Sequence, residues 1–112
     1  GEPLGEIRID LDETDKDYTV RAEIPGAKKD DIRVEIDGNR VSIAAEVKRE
    51  REEKSAKGRS LLRETYEGRV SRGFTLACDV DEARTTAKLE QGVLTLVLPK
   101  RAGARSRQIA IE

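Results

Sequence analysis

The stretch AKLEQGVLTLVLP, residues 87–99, decides the fold of this chain. Ala87 and Leu89 alternate with charged residues, which is typical of a strand with one buried face. Gly92 lies where the chain must reverse, at a position that favours a positive φ. Residues 93–98 are an almost unbroken run of β-branched residues and leucines that ends at a proline, and we expect a strand covered on both faces. Because such a strand needs a layer on each side, the stretch predicts a β-sandwich.

The composition excludes most catalytic chemistry. The 112 residues suit a single domain, 40% of them are charged, and histidine is absent. A histidine-based triad and a histidine-containing zinc site are therefore excluded, and the sequence has no Gly-rich phosphate loop. Only 3% of the residues are aromatic and the net charge is −1, which argues against stacking platforms and against steering of nucleic acid. We expect no enzyme, no catalytic residue, no metal and no cofactor.

Cys78 is the single cysteine, so a disulfide within the chain is impossible. It suits a reducing compartment, and we expect a cytoplasmic protein. Cys78 itself is best interpreted as a small packing residue; a redox sensor is the alternative, although Asp79 and Asp81 nearby argue against a lowered thiol pKa. No apolar run approaches the length of a membrane span and no signal peptide is visible, so we expect no membrane partner. The chain starts at Gly1 rather than Met, and we expect a trimmed chain.

Period-two alternation predicts the remaining strands. A Pro25-Gly26 stop follows the second of them, and Asp37-Gly38-Asn39 predicts a tight antiparallel hairpin. The apolar residues that alternate are Ile7, Ile9 and Leu11; Tyr18, Val20, Ala22 and Ile24; Ile32, Val34 and Ile36; and Val41, Ile43, Ala45 and Val47.

Residues 48–54 are all charged, and glycine and small polar residues follow them. Without an apolar face the segment has nothing to pack on, so we expect an exposed loop over residues 48–60. A solvated excursion is the favoured interpretation, and a contact with nucleic acid is the alternative. A short strand is then predicted from Leu61 to Glu67, with Gly68 breaking it.

Arg72 lies on the apolar face of the strand that follows, in alternation with Val70, Phe74 and Leu76. Burying an uncompensated charge costs several kcal/mol, so the guanidinium must meet a carboxylate. An interface with another chain is the favoured place, because the forked guanidinium suits such pairs. A strand-edge arginine that reaches solvent is the alternative.

The C-terminal segment, residues 100–112, is first basic and then apolar. Ile109 and Ile111 lie on one face of an extended segment, behind a Gly- and Ala-containing tether that we expect to be flexible. Docked in a groove, each isoleucine buries a side chain worth roughly 1.5–3 kcal/mol. A last strand that folds back on its own domain is the alternative.

Four motifs, which follow one another along the chain in the family's order, resemble the α-crystallin domain of the small heat-shock proteins, in its bacterial form. The stretch Ala87-Lys-Leu-Glu-Gln-Gly-Val-Leu resembles the family's Ala-x-x-x-x-Gly-Val-Leu signature. Ile24-Pro25-Gly26 is similar to its Leu-Pro-Gly, and Ile109-Ala110-Ile111 to its C-terminal Ile-x-Ile/Val. Val70-Ser-Arg-Gly-Phe-Thr-Leu is similar to its Phe-x-Arg-x-Phe-x-Leu strand, which places the family's arginine at Arg72.

The resemblance implies an all-β, immunoglobulin-like sandwich that acts as an ATP-independent holdase. It implies an α-crystallin domain over residues 7–99, a residual N-terminal segment over residues 1–6 and a C-terminal extension over residues 100–112. Such chaperones bind partly unfolded clients and prevent their aggregation. The N-terminal arm that drives assembly in this family is expected to be missing here, because few residues precede Ile7.

The resemblance also implies the interfaces. A protruding loop carries an exchange strand, about residues 61–67, which pairs near residues 7–11 of the other chain in a homodimer. The expected interface residues are Arg72, Leu61, Leu62, Tyr66, Ile7 and Ile9. A tail with Ile109 and Ile111 fills a groove of a neighbouring dimer and so builds a higher oligomer. The expected groove residues are Ile32, Val34, Ile36, Thr85, Ala87 and Leu89.

Two other protein classes remain as alternatives. A non-oligomerising β-sandwich co-chaperone, a protein-interaction module, would not need the tethered isoleucines or the arm-like insertion. An extracellular ligand-binding sandwich is disfavoured by the missing disulfide and the few aromatics.

Overall fold

A computed structural model describes residues 2–54, 60–103 and 110–112, with side-chain surroundings for 5–48, 67–103 and 110–112. The described residues form two four-stranded β-sheets and two short 3₁₀ turns, so the predicted all-β sandwich is confirmed. The strands are β1 (Glu2–Glu6), β2 (Arg8–Glu13), β3 (Asp17–Glu23), β4 (Ile32–Asp37), β5 (Arg40–Lys54), β6 (Ser60–Thr75), β7 (Thr86–Glu90) and β8 (Val93–Pro99), and the 3₁₀ turns are Lys29–Asp31 and Glu82–Arg84.

One sheet has the strand order β1-β6-β5-β4 and the other β2-β3-β8-β7. All pairs are antiparallel except β1 with β6, which is parallel. In the described chain, β4 and β7 are edge strands on one side of the sandwich, and β1 and β2 are edge strands on the other. The two open sides are therefore different surfaces.

The core lies between the sheets and is built from the alternating residues that the sequence indicates. Each of these side chains removes apolar surface from water, worth roughly 1.5–3 kcal/mol for a fully buried Val, Leu or Ile. The most buried stripes are Tyr18, Val20 and Ala22 on β3, Val41, Ile43 and Ala45 on β5, and Leu94, Leu96 and Leu98 on β8.

Strand β8 is covered on one face only, so the expectation of burial on both faces is wrong. Leu94, Leu96 and Leu98 are buried, whereas Val93, Thr95 and Val97 on the other face are half-buried. The neighbouring strands β3 and β7 flank β8 within the sheet and partly shield this outer face. A central position in a sheet therefore explains the apolar run without a third layer.

The tight turns follow the sequence signals. Gly92 has φ 78° and Gln91 has φ 50°, and two positive φ values in a two-residue loop are the mark of a type I′ hairpin. Gly38 has φ 62° and connects β4 to β5, which confirms the predicted hairpin.

The Pro25-Gly26 turn packs closely against β5 near the base of the long β5–β6 hairpin. Ala27 N–H donates to the Ile24 carbonyl at 3.2 Å, and Gly26 has φ 83°. A Cβ at Gly26 would lie 3.0 Å from the carbonyl oxygen of Lys48, so only glycine allows this approach. The turn that stops β3 thus also packs against β5.

The predicted loop is wrong over residues 48–54, which continue β5, with a register shift between Glu53 and Lys54. They pair with β6, and the register places Lys48 opposite Glu67, Arg51 opposite Glu64 and Glu52 opposite Arg63. A strand needs a partner for its backbone rather than an apolar face, and opposite charges across a pair favour that partner. Ser60, the last residue of the predicted loop, begins β6, and residues 55–59 lie outside the described residues.

Gly68 does not break the strand as predicted, because β6 runs through it from Ser60 to Thr75. Gly68 is paired with Val47 on one side and with Glu2 on the other, and two neighbours compensate the weakness of a glycine in a strand. Between Gly68 and the tip of the β5–β6 hairpin, no third strand pairs with the hairpin in the described chain. This two-stranded extension, residues 48–54 and 60–67, is called the arm below.

The N-terminal residues are part of the sandwich. Glu2–Glu6 forms β1, and Ile7 lies between β1 and β2, where the chain passes from one sheet to the other. Ile7 is 2% exposed and its N–H donates to the Ser71 carbonyl at 3.0 Å. Ile7 is therefore a core residue of its own chain.

Candidate binding groove

A groove opens between the edge strands β4 and β7. Along β4 the residues alternate between half-buried and exposed, because the edge position leaves the inward face only partly covered. Ile32, Val34 and Ile36 are the half-buried ones, and all three pack against the core. On β7, Leu89 is half-buried and packs against the same core. Apolar side chains of two different sheets thus border one open edge.

The groove has a volume of about 280 Å³. Most of its lining is apolar, which suits a small aliphatic group rather than a reacting substrate. Lys29 and Lys88 also border the groove. The Lys88 ammonium is paired with Glu90 at 2.9 Å, so Lys29 is the lysine that favours an acidic neighbour of that aliphatic group. The lining residues are Ile32, Val34, Ala87, Leu89, Leu94, Lys29 and Lys88.

Four of the six predicted groove residues line this groove, namely Ile32, Val34, Ala87 and Leu89. Ile36 lies further along the same face of β4 and borders a different hollow. Thr85 precedes β7, and its hydroxyl donates to the Asp81 carbonyl at 3.0 Å. Binding in the groove stays a prediction for all six.

Three lining residues were not predicted: Leu94, Lys29 and Lys88. Leu94 lies opposite Leu89 in the β7–β8 register, so the hairpin signal could have found it. Lys29 belongs to a 3₁₀ turn that the sequence presents only as a charged connector. Its place beside β7 depends on the packing of the two sheets.

Arg72 meets a carboxylate of its own chain. Its Nη1 lies 3.5 Å from Glu6 Oε2 and 3.5 Å from the Ile7 carbonyl oxygen. The Arg72 side chain is 36% exposed and that of Glu6 is 80% exposed. Glu6, at the link between the two sheets, is thus a candidate within the chain for the predicted carboxylate partner. The place of Arg72 in a dimer interface stays a prediction.

The other predicted interface residues fall into two groups. Ile9 is half-buried on β2 and packs against the core, beside the buried Ile7. Leu61, Leu62 and Tyr66 belong to β6, whose backbone here pairs with β5 of the same chain. The side chains of these three lie outside the described residues.

The outer edge of β2 has no neighbouring strand in the described chain. Leu11 on this strand is 46% exposed, one of two large apolar side chains that are exposed among the described residues. Leu11 is opposite the buried Val20, so it points to the core side of the sheet. An open strand edge with an apolar side chain at its border is a surface that another strand fits.

Ile111 is 97% exposed near the end of the chain and is the other large exposed apolar residue. Ile109, its predicted companion, lies outside the described residues. The groove and Ile111 are thus complementary in chemistry, and both belong to this chain.

Tyr18 and Lys100 have a shifted pKa, and both residues lie outside the groove. The pKa of Tyr18 is raised above its ordinary value, chiefly because burial disfavours the phenolate. The pKa of Lys100 is also raised, first because its ammonium donates a hydrogen bond to Glu13. Both shifts keep the protonated form at neutral pH, so neither group is poised for acid–base chemistry there.

Within the part of the chain that the structure describes, no cluster of three or more His, Cys, Asp or Glu side chains could hold a metal ion. Over the same residues, no helix is long and apolar enough to cross a membrane.

Comparison with known proteins agrees with this geometry. Residues 10–112 match the family model described as Hsp20/alpha crystallin family. The chain is 38% identical to the bacterial spore protein SP21 of Stigmatella aurantiaca over 99% of this chain and 64% of that protein. It is 35% identical to heat shock protein 16 of Schizosaccharomyces pombe over 93% of this chain and 73% of that protein.

The solved structure of heat shock protein 16.0 from Schizosaccharomyces pombe superposes with a TM-score of 0.69. That superposition covers 96% of this chain and 98% of the other, at 34% identity. The family model's range, residues 10–112, includes the positions of all four motifs. The chain therefore belongs to the Hsp20/alpha crystallin family, the small heat-shock proteins.

Proposed function

We propose that this chain acts as an ATP-independent holdase, which binds partly unfolded proteins through apolar surface and prevents their aggregation. The family consists of chaperones rather than enzymes. The observation that carries the proposal is the apolar groove between β4 and β7, open to solvent and lined by Ile32, Val34, Ala87 and Leu89. A single buried cysteine suits a reducing compartment, so we place this activity in the cytoplasm.

The occupant that fits the groove in the resting state is the C-terminal segment of another copy. Ile111 supplies an aliphatic side chain that is 97% exposed, and Ile109 precedes it by two residues. Glu112 follows directly, and its carboxylate complements Lys29 at the groove.

The energetics favour a contact that opens readily. Two isoleucines give roughly 3–6 kcal/mol before the cost of ordering the segment is subtracted. One segment alone should therefore bind with a Kd in roughly the millimolar to high micromolar range. Several such contacts in one oligomer add avidity, while each can still open and expose a groove.

The homodimer would form at the opposite side of the sandwich. Strand β2 offers an open edge with Leu11 beside it, and the arm carries β6 beyond the body of the domain. We propose that residues 61–67 of one chain add to β2 of the other. An arm that covers this edge would also protect it from unspecific strand addition.

The first test measures light scattering of a heat-labile client without ATP, with and without the protein, together with the protein's mass in solution. Suppressed scattering at a dimeric or larger mass is the expected result. A dimer without suppression would contradict client capture by this domain. A strict monomer without suppression would favour the alternative, a non-oligomerising protein-interaction module.

The second test examines the groove directly. A peptide of residues 104–112 is titrated into the Ile109→Ser/Ile111→Ser variant of the chain, whose own tail can no longer compete. We expect amide chemical-shift changes at Ile32, Val34 and Leu89, and none with a peptide that carries serine at positions 109 and 111. Shift changes elsewhere would contradict the groove as the tail site.

A pair of variants on β4 provides the matched control. Val34 points into the groove and Glu35, its neighbour, points to solvent. Val34→Lys should abolish peptide binding, whereas Glu35→Lys should leave it unchanged. Equal loss in both variants would indicate a charge effect on the strand rather than a lost groove.

A further inference from the structure

Lys100, the first residue after β8, is held by groups from several parts of the sandwich. Its Nζ lies 2.7 Å from Glu13 Oε2 and 5.1 Å from the centroid of the Tyr18 ring. Tyr18 is buried, and its hydroxyl accepts a hydrogen bond from the Cys78 N–H at 3.0 Å. The ring that supports the ammonium is therefore fixed by the core. Lys100, Glu13 and Tyr18 are called the Lys100 cluster below.

The backbone at this point is also tied on two sides. Lys100 N–H donates to the Lys16 carbonyl at 2.8 Å, and Arg101 N–H donates to the Asp79 carbonyl at 2.9 Å. The Arg101 guanidinium lies 3.5 Å from an Asp79 carboxylate oxygen. The C-terminal segment therefore leaves the sandwich from a defined point in a defined direction.

The Lys100 cluster differs from an ordinary surface ion pair. Lys88 and Glu90 on the same sheet lie 2.9 Å apart, but their side chains are 73% and 68% exposed. The side chain of Lys100 is only 12% exposed and that of Glu13 is 47% exposed. Because solvent screens the exposed pair, it contributes little, whereas the shielded ammonium also gains the attraction of the aromatic face.

Glu13 is the last residue of β2, the strand with the open outer edge. We propose that the Lys100 cluster fixes the exit direction of the C-terminal segment relative to β2, with Lys100 as the positioning residue. The proposal rests on the proposed function, in which β2 receives the arm of one copy and the C-terminal segment reaches the groove of another. One ion pair then sets the angle between the two kinds of contact in an assembly.

The test uses Lys100→Met in the full chain. Methionine keeps an unbranched apolar side chain over the Tyr18 ring and removes the charge. Hydrogen exchange at the Arg101 amide should accelerate roughly fivefold to tenfold, as expected for the loss of a partly shielded ion pair and a cation–π contact. Glu13→Gln should give a similar acceleration, and the double variant should add little to either single one.

Arg21→Met is the matched control, because it breaks the exposed Arg21–Asp12 ion pair of the same sheet, away from the groove. It should leave exchange at Arg101 unchanged. Unchanged exchange at Arg101 in Lys100→Met would overturn the proposal, and so would equal acceleration in the control. If Lys100→Met lowers the melting temperature of the whole domain, hydrogen exchange at the Arg101 amide is compared in Glu13→Gln instead. This variant leaves the Tyr18–Lys100 contact in place.

Two further readouts separate this proposal from the proposed function. The mass distribution of Lys100→Met should broaden, while the peptide of residues 104–112 should bind its groove as in the parent. An unchanged mass distribution with faster exchange would overturn the role in assembly. If the peptide does not bind the parent, the proposed function fails, and the exchange at Arg101 still decides whether the Lys100 cluster holds the exit of the segment.

Discussion

At the scale of single residues, Arg72 shows what a burial argument can predict. It predicts that the guanidinium meets a carboxylate, but not whether that carboxylate belongs to the same chain or to another. The guanidinium has Glu6 and the Ile7 carbonyl in its own chain, at the point where the backbone passes between the sheets. Both distances are 3.5 Å, and the side chain is about one third exposed. The contact should therefore make a modest contribution that is screened by solvent.

We predict that Arg72→Met lowers the free energy of unfolding by about 1 kcal/mol, because a charge-assisted contact to the sheet link is lost. Urea unfolding measures it, and Arg21→Met serves as control, because Arg21 and Asp12 form an exposed pair at 3.2 Å. A change of solution mass from dimer to monomer in Arg72→Met, without loss of stability, would instead place the essential carboxylate in another chain.

A second prediction at this scale concerns alkaline pH. The pKa values of Tyr18 and Lys100 are both raised in the folded chain, Tyr18 chiefly by burial and Lys100 first by its hydrogen bond to Glu13. Groups with a raised folded pKa contribute stability that is complete below their unfolded pKa and is lost as pH rises through the folded pKa.

The unfolded pKa of both groups lies near 10. The free energy of unfolding should therefore be nearly constant in the neutral range and should fall above about pH 10. Urea titrations at increasing pH measure this slope. Lys100→Met should make the decline shallower, and an equally steep decline in that variant would contradict a contribution from the Lys100–Glu13 pair.

At the scale of the element, β8 shows that an apolar run in the sequence does not require burial of both faces of a strand. Its apolar run resembles a strand between two layers, yet only the face with Leu94, Leu96 and Leu98 lies in the core. The outer residues are partly shielded by the neighbouring strands β3 and β7, which lie in the same sheet.

Two truncations on β8 should therefore differ strongly. Leu96→Ala leaves a cavity in the core and should cost about 2–5 kcal/mol of unfolding free energy. Val97→Ala removes two methyl groups from a half-buried outer face and should cost about 1 kcal/mol or less. Urea unfolding of both variants measures the difference. Similar losses would mean that a further layer covers the outer face in solution.

At the scale of the whole molecule, the arm dominates the shape. The principal extents are 72 × 30 × 22 Å, and the long axis reflects a hairpin of two strands with 15 and 16 residues. A two-stranded ribbon is at best marginally stable by itself in water. The arm should thus contribute little to the stability of the sandwich and much to contacts with another copy.

We predict that a shortened chain, with Arg49 joined to Tyr66 through Asn-Gly, keeps the free energy of unfolding within about 1 kcal/mol of the parent. This connection retains the register in which these two residues are opposite each other. Its mass in solution should fall from dimer to monomer. A shortened chain that keeps the parent's mass would show that another surface carries the dimer.

The sequence alone predicts most of the sheet structure, because strand alternation and turn chemistry are local. Tyr18, Val20 and Ala22 bury one face of β3 as their spacing requires, and Gly38 and Gly92 have the positive φ that their turns need. The error over residues 48–54 has a physical cause. An all-charged segment carries no periodic signal, so the opposite charges of β6 become informative only when the register is known.

The tertiary structure decided which distant groups meet. The groove combines Ile32 and Val34 of one sheet with Ala87 and Leu89 of the other, Arg72 reaches Ile7 across 65 residues, and Lys100 reaches Glu13 across 87. Alternation reports only that a face is buried, not which edge lies beside it, since that depends on the strand order of two sheets. The sequence therefore determined the strands, turns and family motifs, and sheet packing determined the groove and the Lys100 cluster.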